Sequence, residues 1–277
     1  MSTPMTHHPP HLPVGLDRTR PSVARATNHL LGGEANFAVD RAALDDLLAI
    51  APELPALTRA TRAWLHHVVA ELARAGIDQF LDLGAGLPEP GHDLRAVAAR
   101  HQPRPRVVHV DNDLVCVRHL QVAFPACRTI HTDLTDPATV LRLAQRHGGL
   151  DLRRPVAVLA GGIVHHLHLA PGEIAAVTAG YGDLLAPGSA LAISHYHRPP
   201  AQDRAAHRLA VDLQNGFLTH FGSGWFRTRD QIHRYFTGWP LTSPGLTYLD
   251  RHTDTPRTPN NRSPLQGLVL AGTARKP

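Results

Sequence analysis

Apolar positions recur at two different periods along this chain. From Ser22 to about residue 75 the spacing is helical. A helix capped by Ser22 is predicted through Leu31, stopped by Gly32-Gly33. A second fits residues 36–50, where Phe37, Ala38, Leu44, Leu47 and Leu48 share a face. A third, longer one fits residues 55–75, with Leu57, Trp64, Leu65, Val68, Val69 and Leu72 apolar. From residue 79 the pattern becomes short apolar runs alternating with amphipathic stretches, as in a parallel sheet with crossover helices. The runs predict strands at 79–83, 106–110, 127–131, 156–160 and 190–194. Helices are predicted between them at 91–100, 114–123, 137–145 and 172–184, then at 201–218 and 228–235. Residues 246–249 and 265–272 read as two last strands, antiparallel at the sheet edge, joined by a solvated loop over 251–263 rich in Thr, Pro and Asn.

The chain is organised around Phe80-Leu81-Asp82-Leu83-Gly84-Ala85-Gly86-Leu87-Pro88. A buried strand runs into a glycine turn and then a helix, the corner that holds a nucleotide in doubly wound sheets. Glycine lets the backbone approach a ligand there. The second strand, Val107-Val108-His109-Val110, ends in Asp111, where a carboxylate reaches ribose hydroxyls. Pro88, Glu89 and Pro90 follow the turn. Two residues without an N–H and one negative charge do not suit a pyrophosphate. A nucleoside ligand without phosphates fits better, and S-adenosylmethionine is such a ligand.

These residues, D-x-G-x-G followed by V-x-V-D, resemble the first two motifs of the class I SAM-dependent methyltransferases. The wider pattern is similar to an actinomycete subfamily first catalogued as a domain of unknown function. The likeness runs through Pro21-Ser22-Val23-Ala24-Arg25, Leu30-Leu31-Gly32-Gly33, Asn36-Phe37-Ala38, Asp40-Arg41, Leu185-Ala186-Pro187-Gly188-Ser189 and Ser194-His195, over roughly residues 20–277. It implies a Rossmann-like, doubly wound seven-stranded α/β sheet with an N-terminal helical cap. The expected divisions are a disordered tail at 1–20, the cap at 21–76 and the SAM-binding domain at 77–277.

The resemblance also implies site residues. Asp82 would lie near the methionine amino group, Gly84 and Gly86 along the ligand, and Asp111 on the ribose. Asn112 would meet adenine through its backbone, and Asp133 would bind the adenine amino group. Gly161, with Gly162, would allow close approach to the sulfonium. Family members carry an aromatic hydroxyl where Asn28 stands and an acid where Ala35 stands. Many class I enzymes have an acid or Asn near Gly161, and this chain has none. Histidine is the natural base near neutral pH, so His165, His166 and His195, at the ends of the fourth and fifth strands, are candidate catalytic residues. Asp113 and Asp136 read instead as helix caps. The glycine- and asparagine-rich stretch from Asn28 to Phe37 reads as a loop folded over ligand, and Trp225, Phe226, Phe236 and Trp239 as cover for an acceptor pocket or as core.

Composition narrows the picture. With 277 residues, 43% of them hydrophobic, the chain can bury a large core, and no apolar run nears the ~18 residues of a membrane span. The first 20 residues lack an apolar signal segment, which points to the cytoplasm. The formal charge is +5, but it is carried by dispersed arginines with Lys276 the single lysine, and aromatics are 5%. That is not the clustered basic and aromatic face expected for nucleic acid. Cys116 and Cys127 make no disulfide framework. His7, His8 and His11 lack zinc-site spacing, and no metal site is expected. The expected activity is methyl transfer from S-adenosylmethionine to a small-molecule acceptor, in secondary metabolism. The sequence leaves the oligomeric state open, a homodimer included. Other readings are a SAM-binding regulatory module, a nucleic-acid methyltransferase and, from fold alone, a NAD-dependent oxidoreductase.

Overall fold

The computed structural model describes residues 17–89, 91–252 and 264–277. Most of the expected N-terminal tail, including His7, His8 and His11, lies outside these residues, as do Pro90 and most of the loop read at 251–263.

Among the described residues three helices precede the first strand: α1 (Val23–Leu30), α2 (Ala38–Ile50) and α3 (Leu54–Arg74). Then β1 (Gln79–Leu83), α4 (Leu94–Ala99), β2 (Arg106–Asp111), α5 (Leu114–Ala123), β3 (Arg128–His131), α6 (Pro137–Arg146) and β4 (Ala157–Gly161) alternate. A 3-10 turn at Val164–His166 leads to α7 (Pro171–Leu184) and β5 (Ala190–Tyr196). α8 (Arg204–Phe221), α9 (Arg229–Arg234), β6 (Thr247–Tyr248) and β7 (Val269–Arg275) complete the chain.

The seven strands lie in the order β3-β2-β1-β4-β5-β7-β6. β1 to β5 are parallel, whereas β7 runs antiparallel to β5 and β6 antiparallel to β7. The winding reverses between β1 and β4, and a ligand crevice opens beyond the strands' C-terminal ends at such a point.

Strand side chains alternate between two cores. Phe80, Val107, Leu159 and Ala192 face a cluster built with α1, α2, α3 and α8. Leu81, Val108, Val158 and Ile193 face a second cluster built with α6, α7 and α9. Cys116 and Cys127 are buried free thiols.

Two boundaries depart from the sequence reading with consequences. β5 continues to Tyr196, so His195 stands inside a strand rather than after one. The last strand begins at Val269, where pairing with Tyr196 begins, and the residues before it form a 3-10 helix at Pro264–Leu268. Ser22 precedes α1 as expected but makes no side-chain cap. Its N–H donates to Asp40 Oδ1 at 2.8 Å instead. Asp40 also accepts from Phe37 N at 2.8 Å and from Arg25 Nε at 2.7 Å. This buried ion pair ties α1 to α2 and so fixes α1 over the crevice.

Candidate active site

A cavity of about 310 Å3 lies beyond the C-terminal ends of β1, β2, β4 and β5 and is covered by α1 and α3. Every site residue expected from the sequence borders it except Asp82.

The glycine turn is built on β2. Gly84 N donates to Val110 O at 2.8 Å, and Gly86 N to Asp111 Oδ2 at 2.8 Å. Asp111 Oδ1 accepts from Asp113 N at 2.9 Å. The buried Asp111 therefore anchors the turn and keeps further lone pairs for a ligand, since a carboxylate has about four. Burial raises its pKa, opposed by these backbone bonds. The two glycines do different jobs. A Cβ on Gly84 (φ +64°) would sit 2.2 Å from Ile163 Cγ1, whereas one on Gly86 (φ +71°) would meet nothing. Gly84 serves packing, and Gly86 opens the backbone to the cavity.

Asp82 has another partner. It is 6% exposed and lies 2.9 Å from His109 Nδ1. Burial alone would lower the His109 pKa, but bonding to Asp82 and to Cys127 outweighs it and pushes it up to about 9. The pair ties β1 to β2 beneath the turn. The acid of this segment that borders the cavity is Glu89, which the sequence reading noted only as local charge. Gly161 also has a local reason to be small, since a Cβ there would lie 2.9 Å from Leu65 of α3.

Asn112 and Asp133 are exposed at the rim. Asn112 O accepts from His131 Nε2 at 3.0 Å, and Asp133 Oδ1 accepts from Thr135 N at 2.8 Å. Asp113 and Asp136 cap α5 and α6, as expected.

The three histidines lie on the other half of the cavity, with Ser194, Tyr196, Phe217, Phe221 and Val269. Their rings pack together: His165 is 4.3 Å from His166, 5.5 Å from His195 and 4.4 Å from Tyr196 between centroids. Burial pushes the His165 pKa well below its usual value, that of His166 down to about 4 and that of His195 to about 3. His195 Nδ1 lies 2.8 Å from Tyr196 O. A carbonyl only accepts, so Nδ1 carries the proton. The bare Nε2 is buried without a partner. His166 Nδ1 pairs with Ser223 Oγ at 2.8 Å, which leaves its Nε2 free of protein partners among the described residues.

Of the two places read for the late aromatics, pocket cover or core, the first is not taken, and the loop reading after α1 is corrected. Among the late aromatics, Phe226, Phe236 and Trp239 are core, and none of these or Trp225 borders the cavity. Phe217 and Phe221 of α8 take that place. The segment after α1 folds on itself: Asn28 Oδ1 accepts from Ala35 N at 2.9 Å, and Asn36 Nδ2 donates to Gly33 O at 2.9 Å. Residues 31–37 do not border the cavity; Val23, Ala24, Ala26, Thr27 and Leu30 of α1 do.

The lining also contains Arg62 of α3, missed in the sequence. Its signal was a polar stripe, Thr58, Thr61 and Arg62, beside the apolar face of Leu57, Trp64 and Leu65. Among the described residues no group of three or more His, Cys, Asp or Glu side chains could hold a metal ion. No helix there is long and apolar enough to cross a membrane.

The donor set suits S-adenosylmethionine. Asp111, Asp113, Asp133 and Glu89 border the cavity against one arginine. That repels a pyrophosphate and accommodates a nucleoside bearing a sulfonium. Comparison with known proteins agrees. Residues 10–277 match the model of the S-adenosyl methyltransferase family. A candidate methyltransferase from Thermobifida fusca YX is 34% identical, with a TM-score of 0.86 over 95% of this chain and 98% of that one. A DUF574 family protein from Streptomyces avermitilis MA-4680 is 29% identical, with a TM-score of 0.81 over 94% of this chain and 99% of that one. No curated protein matches. The chain belongs to the S-adenosyl methyltransferase family and is a SAM-dependent methyltransferase with a class I, Rossmann-like fold.

Proposed function

We propose that this enzyme methylates a small molecule, in secondary metabolism, and that the acceptor occupies the half of the cavity between α1, α8 and the β4–β5 ends. The observation that carries this reading is the cover: residues of α1 and α3 border the cavity opposite the strand ends. A cavity of about 310 Å3 under helices suits a compact acceptor better than a polymer. We assign Asp111 to the ribose, Asn112 and Asp133 to the adenine, Gly84 and Gly86 to the turn along the nucleoside, and Gly161 to the approach near the methyl. Asp82 acts through His109 on the turn's foundation. The buried thiols suit a reducing compartment such as the cytoplasm.

When bound, S-adenosylmethionine supplies a methyl group already activated on a sulfonium. The chain's own task is alignment and exclusion of water. The apolar wall of Leu30, Leu44, Phe217 and Phe221 excludes water. His166 keeps Nε2 free of protein partners among the described residues while Ser223 orients its ring. With a pKa of about 4 it is a weak base, so His165 and His195 shape the wall and His166 assists an acceptor that needs little deprotonation. The test is transfer of labelled methyl from S-adenosylmethionine into fractions of a cell extract. Label in the low-mass fraction supports the reading, and label confined to protein or nucleic acid contradicts it.

A further inference from the structure

The cavity contains one charged pair that the assignments above leave unused. Arg62 Nη2 lies 3.0 Å from Glu89 Oε1, with side chains only 16% and 6% exposed. Both residues border the cavity. Arg62 comes down from α3, and Glu89 stands three residues after Gly86. The pair therefore flanks the glycine turn, which Asp111 anchors from β2.

Removing two charges from water is costly, and a single contact repays little of that cost. Here only one guanidinium nitrogen and one carboxylate oxygen are engaged with each other. The remaining N–H groups of Arg62 and Oε2 of Glu89 have no protein partner among the described residues. Among the described residues Arg62 is also the sole lysine or arginine in the cavity lining. Its neighbours on that helix face cannot replace it, because the Thr58 and Thr61 hydroxyls donate to Leu54 O and Leu57 O. Among the acids, Asp113 is committed to capping α5 and Asp133 is held at the rim by Thr135. Asp82 is closed off by His109.

An α-amino acid end group carries one positive and one negative charge a short distance apart. We propose that Arg62 and Glu89 form the clamp for the methionine end of S-adenosylmethionine, Arg62 taking its carboxylate and Glu89 its ammonium. The four charges then alternate in a ring, and each buried charge gains a second partner. This rests on the nucleoside assignment to Asp111, because a ribose there directs the amino-acid end along the glycine turn. Arg62 and Glu89 are positioning residues: they hold the cofactor's tail and leave the reacting centre to the other half of the cavity.

The test uses two thioethers that share the nucleoside and differ in the amino acid, S-adenosylhomocysteine and 5′-methylthioadenosine. Their affinities are measured by calorimetry for the wild type, Arg62→Gln and Glu89→Gln. Each substitution is expected to weaken S-adenosylhomocysteine by about tenfold or more, the size of a lost charge-assisted bond. Methylthioadenosine should change by less than about twofold. A second comparison isolates the carboxylate. In the wild type, decarboxylated S-adenosylmethionine should bind at least about tenfold more weakly than the intact molecule, and in Arg62→Gln the two should bind alike. Equal loss of both thioethers would assign the pair a structural role and overturn the proposal, as would unchanged binding of S-adenosylhomocysteine. A wild type that bound S-adenosylhomocysteine but lost nothing on decarboxylation would overturn the role of Arg62. Wild-type binding of neither thioether would contradict the nucleoside assignment, and the clamp with it.

Discussion

The two halves of the cavity are built from opposite materials. The half at the ends of β1, β2 and β3 is backbone and carboxylate: Asp111 takes Gly86 N and Asp113 N, and Asp133 takes Thr135 N. The half over β4 and β5 is rings and methyl groups: three imidazoles kept neutral by burial, Tyr196, Phe217, Phe221 and the apolar face of α1. The first offers hydrogen bonds whose geometry the strand ends dictate. The second offers shape, set by which helices are laid over the sheet. One cofactor with a fixed set of polar groups suits the first kind of wall. An acceptor recognised by fit suits the second.

The largest effect should come from undoing the cover. Asp40→Ala leaves Arg25 buried without its carboxylate and frees Ser22 N and Phe37 N, so stability should fall by about 3–5 kcal/mol. Chemical denaturation measures it, and a loss under about 1 kcal/mol would mean that α1 is held by packing alone. Next come the two glycines. Gly84→Ala drives a Cβ into Ile163 and should cost about 3 kcal/mol in stability. Gly86→Ala meets open space, so it should cost only the ~1 kcal/mol of a left-handed backbone while weakening cofactor binding markedly. Thermal melts paired with titrations separate them; equal loss of stability in both would erase the distinction.

Those glycines show how far the sequence could be read. The strand, turn and acid from Phe80 to Asp111 were legible because backbone geometry demands those residue types at that spacing. The parallel sheet with crossover helices followed from the alternation of runs. The acceptor wall was not legible, because Phe217 and Phe221, one helical turn apart, present the same pattern whether they face core or cavity. The pairing of Asp82 was not legible for a related reason: its partner His109 is a neighbour only across the β1–β2 ladder. Gly161 was read as room for a ligand, while the atom nearest its missing side chain belongs to α3.

Histidine titration gives the two halves opposite pH signatures. His109 holds its proton up to about 9 in the fold and gives it up near 6.5 when unfolded. Its contribution is complete below about 6.5 and is lost as pH rises through about 9. His166 and His195 stay neutral down to about 4 and about 3. The unfolded chain takes up those protons first, so stability also falls as pH drops below about 6.5. The melting temperature should peak near neutrality and decline on both sides, and His109→Gln should flatten the alkaline limb. A monotonic profile would contradict the paired assignment. The smallest effect is expected at Phe221→Ala, which should raise the acceptor KM several-fold and leave S-adenosylmethionine affinity within about twofold. An equal effect on both ligands would blur the boundary between the halves.

The most direct measurement is a calorimetric titration of wild type and Asp111→Ala with S-adenosylmethionine and, separately, with NAD. The account predicts micromolar binding of S-adenosylmethionine to the wild type, about a hundredfold weaker in the variant through loss of charge-assisted bonds, and no binding of NAD. Wild-type affinity in Asp111→Ala, or preference for NAD, would contradict it.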